Sequence, residues 1–232
     1  MARVISPEII YEDSDIIVCR KPAGLPTQSA RIRTPDMVSL IKIHLTADAE
    51  KSFSSRKEPY LAVIHRLDQP VEGLLVFAKT PAAAKNLNRQ LTSSGFGKYY
   101  RAIVIGIPEP VEGTLENYIV KDGRTNTSRI CTEDTPGAKF ARLHYHVKKK
   151  FEETEPAKAL VEIRLDTGRH HQIRVQMSHL GHPLAGDRKY GSLFCEKTSA
   201  ERKNAEPLRL CAYRLEFRHP RDGRRMVFEL PE

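Results

Sequence analysis

Apolar positions along this chain fall mostly into short runs of period two or of near continuity, and take helical spacing in three places. Ile9–Glu12 and Ile16–Arg20 read as two strands closed by a tight Asp13-Ser14-Asp15 turn. Lys21-Pro22-Ala23-Gly24-Leu25-Pro26 then reads as a loop, because proline removes a backbone donor and glycine admits unusual dihedrals. Pro35–Ala49 carries Val38, Ile41 and Leu45 at helical spacing, and the polar stretch Ser52–Glu58 reads as a mobile connection. Gly73–Ala78 is almost wholly apolar, as expected of a central strand covered on both faces. Pro81 opens a helix striped by Ala84, Leu87 and Leu91 that ends near Gly95, and Tyr99–Gly106 is a further strand.

In Phe140–Lys148 the apolar Leu143, Tyr145 and Val147 alternate with Arg142, His144, His146 and Lys148, which predicts a half-buried strand with a basic outer face. Leu160–Leu165 is its expected hairpin partner across the acidic loop Glu152–Glu155. His170–Leu180 returns to helical spacing through Ile173, Met177 and Leu180, with Gly181 as its C-cap. Leu210–Arg218 and Arg225–Leu230 form a last strand pair around a His219-Pro220-Arg221-Asp222-Gly223 turn. Strands outnumber helices and hairpins recur. The expected class is α+β: a mixed, largely antiparallel central sheet with flanking helices and loops, in a single domain over residues 1–232.

Composition narrows the class of partner. With 232 residues, 40% apolar and 29% charged, the chain is too apolar for a disordered one. Its formal net charge of +9 favours a polyanion, although a solvated basic surface gives the same sum. Cys19, Cys131, Cys195 and Cys211 are widely spaced and build neither a disulfide framework nor a zinc finger. No run approaches the roughly 18 apolar residues of a membrane span, and the N-terminal stretch turns acidic before any apolar segment develops. The expectation is a soluble cytoplasmic protein.

Three segments place polar residues in otherwise apolar or tightly turning sequence. Ile64-His65-Arg66-Leu67-Asp68-Gln69-Pro70 leads into the apolar strand at Gly73, where unmatched charge is costly; a surface Arg66–Asp68 ion pair is the plainer alternative. Thr167-Gly168-Arg169-His170-His171-Gln172-Ile173-Arg174 is a glycine turn opening a helix with two arginines, suited to phosphate or carboxylate, or simply an amphipathic helix with a solvated face. Gly181-His182-Pro183-Leu184-Ala185-Gly186-Asp187-Arg188-Lys189-Tyr190-Gly191 is a compact loop rich in glycine and positive charge.

Taken together and in order, these segments resemble the RluA family of pseudouridine synthases. Lys21-Pro22-x-Gly24-Leu25 is similar to that family's first motif, Lys98-x-Tyr100-x-Ala102 to its strand motif, and Leu208-x-Leu210-x-Ala212-Tyr213-x-Leu215 with His219-Pro220 to its closing segment. The resemblance spans about Ile9 to Leu230. It implies the pseudouridine synthase fold and isomerisation of a uridine in rRNA or tRNA; the chain lacks room for the S4-like RNA-binding domain that many relatives carry, so a stand-alone catalytic domain is expected, with monomer as the default state. It implies no metal, no nucleotide or other cofactor and no membrane partner, because the reaction breaks N1–C1′ and forms C5–C1′ without net redox change.

By the same resemblance Asp68 is the nucleophile. A carboxylate kept charged in a closed pocket needs a cation beside it. Arg174 is the expected partner, with Arg169 as the alternative, and Tyr100 stacks on the target base. Arg66 helps fill the space left by a flipped base, His65 supports the loop or contacts RNA, and Arg169, His171 and Gln172 belong to the RNA-binding set. One departure stands out: Gln69-Pro70-Val71-Glu72 replaces the family's basic residue and Thr-Ser pair, adding a negative charge near the nucleophile. Two other readings compete. A metal-dependent hydrolase would use His144-x-His146 or His170-His171 as ligands, and a catalytically silent protein would bind RNA on the same fold.

Overall fold

The aliphatic runs become strands buried on both faces. In the computed structural model, which describes residues 7–30, 34–51, 58–93, 95–191 and 206–231, the chain forms two compact units. One comprises the residues up to Gly97 with those from Ala212 on; the other is Lys98–Cys211. The stretch Ser52–Glu58 falls, apart from Glu58, outside the described residues, as does Cys195.

In the first unit β1 (Glu8–Glu12) pairs antiparallel with β2 (Ile16–Lys21), and β2 with β4 (Glu72–Ala78). The short β3 (Ala62–Val63) also pairs with β4. β10 (Leu210–Arg218) is β4's other neighbour and carries β11 (Arg225–Glu229) in an antiparallel hairpin. Ile16, Ile17, Val18, Leu74, Leu75, Val76 and Phe77 are completely buried. Burial of each such side chain contributes about 1.5–3 kcal/mol, so the β2–β4 pair forms the centre of this unit's core. The turn before β2 is fastened by Asp13, whose Oδ1 accepts from the backbone N–H of Asp15 (2.8 Å) and Ile16 (2.9 Å).

Helix α1 (Met37–Lys51) starts at Asp36, whose carboxylate accepts from Ser39 N (2.7 Å) and from Ser29 N (2.6 Å), tying the preceding loop to the helix end. Helix α2 (Pro81–Thr92) is capped by Thr80 Oγ1, which accepts from Ala83 N at 3.1 Å, with Pro81 in its first turn. It buries Ala83, Ala84 and Leu87.

The second unit is built on five antiparallel strands. β5 (Gly97–Ile105) pairs with β9 (Lys158–Leu165), β9 with β8 (Lys139–Phe151), β8 with β6 (Glu112–Asp122), and β6 with β7 (Thr127–Cys131). Strands β6 and β7 were not anticipated from the apolar pattern. Helix α3 (Gln172–His179) ends in a Schellman motif: Gly181, at φ +92°, donates to Ser178 O, and His182 to Met177 O. The expected basic outer face of β8 is in fact laced with ion pairs. Arg142 meets Asp166 (2.6 Å) and Glu116 (3.6 Å), Lys148 meets Glu162 (3.1 Å), and His144 meets Asp166 (2.9 Å). The matching acids come from the neighbouring β6 and β9 and from the residue just after β9, which the pattern of β8 alone does not show.

Gly73 sits in β4 at φ +129°, and a Cβ there would lie 2.3 Å from the carbonyl oxygen of Ala212 on β10. Gly73→Ala therefore combines backbone strain with overlap against another strand's backbone, and should destabilise the protein by at least about 2 kcal/mol. Urea denaturation checks this; a loss below about 0.5 kcal/mol would show that the two strands can part at small cost.

Candidate active site

Between β3 and β4 the chain has no regular structure for the five residues Ile64–Asp68, yet it is firmly held. Ile64 and Leu67 are buried, Arg66 is exposed, and His65 and Asp68 are half-buried, so the apolar residues anchor the loop while the polar ones lie at or near its surface. The buried Thr27 clamps Leu67 in both directions: Leu67 N donates to Oγ1 (3.1 Å), and Oγ1 donates to Leu67 O (2.9 Å). Val71 N closes a turn onto Asp68 O at 3.0 Å. Gly24, in the left-handed region at φ +87°, donates to Gln69 O (2.8 Å), and Gln69 Nε2 returns a bond to Gly24 O (2.9 Å). Thus the Lys21–Leu25 loop and the His65–Asp68 loop, separate in sequence, form one hydrogen-bonded structure.

Its centre is Lys21, which has no solvent exposure. The Nζ donates to Pro22 O (3.0 Å), Leu25 O (2.7 Å) and Gln69 O (3.1 Å), using all three hydrogens of a charged ammonium. Burial pushes its pKa down to about 8, opposed by the negative charges of Asp68 and Glu72. Glu72, the departure noted above, is held by Arg20 at 3.4 Å. Lys21 is thus a buried cation within the field of Asp68 in the same unit. Motif position alone assigns Lys21 no role; the signal in the sequence is a lysine closing the apolar run Ile16–Cys19 before Pro22. His65, half-buried, packs onto the unit: Val76 N donates to its Nε2 (3.4 Å), and its ring meets Phe96 edge-on (5.5 Å), which in turn stacks on Phe217 (5.6 Å).

The remaining residues singled out lie in the second unit. Tyr100 is buried on β5, on the face shared by Lys98, Ala102 and Val104. Arg174, on α3, is buried and held bidentately by Asp187, Nε to Oδ2 and Nη2 to Oδ1, each at 2.7 Å, with its guanidinium over the Tyr190 ring at 5.1 Å. Asp187 Oδ1 also accepts from Lys189 N and Tyr190 N, closing the loop that carries both partners. His171 is buried at the head of α3 with φ +54°; its Nδ1 lies 2.7 Å from Tyr190 Oη, which accepts from Ser128 N. Burial, with the charge of Arg174 next, pushes His171 down to about 3. His170, stacked on it at 3.8 Å, is lowered to about 4 by burial and nearby cations. Both rings are neutral at pH 7, which lets His171 Nδ1 accept from Tyr190 Oη in one of its two tautomers. Gln172 Oε1 accepts from Thr167 Oγ1 (2.8 Å) and Arg169 N (3.0 Å), and its Nε2 donates to Arg142 O (3.1 Å), securing the Thr167–Arg169 turn against β8. Arg169 Nε donates to Phe140 O at 2.7 Å. His171 and Gln172 therefore organise the segment that displays Arg169.

His144 uses both ring nitrogens on protein partners, Thr114 Oγ1 (2.8 Å) and Asp166 (2.9 Å). Among the described residues the histidine, cysteine and carboxylate side chains grouped closely enough for a metal are Asp13, Asp15 and His219, in the turn before β2. There Asp13 already accepts two backbone bonds and one from the Tyr11 hydroxyl, and its carboxyl is held down at about 2; the group reads as a structural knot. No helix among the described residues is long and apolar enough to cross a membrane.

Comparison with known proteins decides the family. Residues 15–179 match the family model described as RNA pseudouridylate synthase. The chain belongs to that family. As an RNA pseudouridine synthase it is an isomerase acting on RNA. An uncharacterised RNA pseudouridine synthase of Bacillus subtilis, YlyB, is 35% identical over 232 residues, covering 100% of this chain and 71% of that protein. Ribosomal large subunit pseudouridine synthase D of Pseudomonas aeruginosa is 36% identical over 238 residues, covering 100% of this synthase and 70% of the relative. Among solved structures, human RNA pseudouridylate synthase domain containing 4 superposes with a TM-score of 0.73 at 25% identity, over 97% of this chain and 88% of that one. The α+β class and the pseudouridine synthase fold expected from sequence are those found.

Two tests follow from this geometry. Replacing Lys21 with Met leaves the carbonyls of Pro22 and Leu25 without their lysine donor and Gln69 O with the Gly24 N–H alone, and should cost about 3 kcal/mol in urea denaturation; unchanged stability would remove Lys21 as the loop's fastening. The depressed histidines predict an acid limb. An unfolded histidine takes up its proton near its ordinary 6.5, whereas the folded rings resist to about 3 and 4, so their contribution is complete above 6.5 and is lost as pH falls through that window. His170→Asn with His171→Asn, asparagine being tolerant of the left-handed conformation at 171, should flatten the fall of thermal midpoint between those values. An equally steep limb in the double variant would contradict the assignment.

Proposed function

We propose that this synthase converts a uridine of ribosomal RNA to pseudouridine with Asp68 as its catalytic carboxylate. The observation that carries this reading is the half-buried Asp68 beside an exposed Arg66, on a loop clamped by Thr27 and by a fully buried ammonium whose field favours the ionised carboxylate. A preorganised charged group in such a setting suits a reaction that builds charge at a sugar carbon. During the reaction the N1–C1′ bond breaks, the base rotates, C5 bonds to C1′, and the hydrogen lost from C5 is balanced by a proton gained at N1. No oxidant, reductant or nucleotide enters that balance.

Arg66, at the surface of the loop, takes the place of the extruded base, whose unstacking costs a few kcal/mol. Tyr100 is assigned the base-stacking role and Arg174 the cationic role on motif position. Ribosomal RNA is favoured over tRNA because a relative matching over the full chain is named for the large ribosomal subunit. The protein acts in the cytoplasm, a reading supported by cysteine spacing that builds no disulfide framework.

Asp68→Asn should abolish pseudouridine formation, by at least about a thousand-fold in kcat/KM, while RNA affinity stays within a few-fold. Pseudouridine mapping of ribosomal and transfer RNA from cells with and without the gene identifies the site. Full activity in the variant would reject the nucleophile, and a lost modification in tRNA with rRNA unchanged would reject the substrate.

A further inference from the structure

Lys98 heads the buried row of β5 that includes Tyr100, Ala102 and Val104, and is 7% exposed. A long cation in such a row is costly unless matched. Among the described residues its Nζ makes no hydrogen bond or ion pair. Burial and the adjacent charge of Arg169 both push it below the usual lysine range, and Asp166 only partly offsets them. Asp166 is itself shared among Arg142 (2.6 Å), His144 (2.9 Å) and Arg164 (3.3 Å). Asp166, the carboxylate whose charge reaches Lys98, is therefore already engaged by three other basic side chains.

Two details bear on how an anion could meet this charge. Gly168 is exposed, and a Cβ on it would come within 3.3 Å of Lys98 Nζ, so the glycine leaves room above the ammonium. Arg169 is fixed through Nε to Phe140 O and through its own N–H to Gln172, while its two Nη groups make no hydrogen bond or ion pair among the described residues. One buried ammonium and one fixed guanidinium fork, separated by a residue without a side chain, match the size and charge of a phosphodiester.

We infer that Lys98 and Arg169, with Gly168 between them, form a subsite for one backbone phosphate of the RNA substrate. The identity of the polyanion rests on the synthase reading above. The subsite explains why a buried lysine is left unmatched beside a second cation: its counterion arrives with the substrate.

The test is binding of a fluorescently labelled oligouridylate by anisotropy across a potassium chloride series, with Lys98→Met and Arg169→Gln. Each variant should bind several-fold more weakly and lower the slope of log affinity against log salt by about 0.7, the value for one phosphate on a single strand. Lys98→Met removes an unmatched buried charge, so its thermal midpoint should hold or rise. If Lys98 is merely structural, the midpoint falls and the slope stays; that outcome overturns the proposal. Should Lys98→Met fail to fold, an unchanged slope in Arg169→Gln overturns it equally. If inorganic phosphate raises the wild-type midpoint but both variants keep the wild-type RNA slope, the subsite holds a small anion and the RNA assignment is wrong. Pseudouridine formation on a ribosomal RNA transcript, followed on the same preparations, separates the two claims. Product with unchanged slopes sinks the subsite alone, and shallower slopes without any wild-type product sink the substrate assignment alone.

Discussion

The loop that carries Asp68 has no strand ladder or helix to fix it, and the ammonium of Lys21 stands in for one. Three carbonyls, from Pro22, Leu25 and Gln69, converge on Nζ from two chain segments. A neutral amine has two hydrogens to donate and would have to drop one of these three contacts, so the geometry of the loop and the charge on the lysine support each other. Burial opposes that charge, and the negative charges of Asp68 and Glu72 restore it. The same interaction therefore shapes the loop and places a positive field beside its carboxylate. Glu72, which departs from the family pattern, fits this arrangement, since its carboxylate also pairs with Arg20.

The second unit solves a related problem with a different residue type. Arg174 is as deeply buried as a charged group can be without penalty only because Asp187 matches it through two parallel bonds. A lysine in that position could not make the fork. The guanidinium has a further effect on its surroundings: its charge, added to burial, keeps His171 neutral, and a neutral His171 can accept from Tyr190, which in turn accepts from Ser128 on β7. Helix α3, the Asp187–Tyr190 loop and the β6–β7 hairpin are thereby linked through one ion pair. Replacing the pair by apolar residues would remove the second cause of the neutral histidine and leave burial, the larger one, in place.

How much of this was legible in sequence depends on whether a feature is local. The continuous apolar run at Leu74–Ala78 and the alternation at Arg142–Lys148 each reflect burial of one segment, and both were read within a residue or three of their bounds. Gly181 as a C-cap was equally local, because a positive φ after the last helical turn favours glycine. Strands β6 and β7 escaped notice although Asp122-Gly123 offered a hairpin signal, because Glu112–Asp122 mixes glycine, glutamate and asparagine into its alternation and buries few large side chains. The roles of Lys21, Asp187 and Tyr190 depend on partners far along the chain. Motif position marked those residues; only the fold showed what Lys21 and Asp187 hold.

Charge shows the same distinction most sharply. A net charge of +9 suggests a polyanionic partner, and β8, with Arg142, His144, His146 and Lys148 on one face, looks like the place to put it. Registration against β6 and β9 changes that reading, because Glu116 lies opposite Arg142, and Glu112 and Glu162 lie opposite His146. A cation already matched by a carboxylate can attract a phosphate only by giving up part of that match, whereas an unmatched buried cation gains from the phosphate outright. Affinity for RNA should thus follow the mismatches in the charge pattern rather than the density of basic residues. By that criterion Lys98, a single buried lysine at the head of β5, matters more than the basic row on β8.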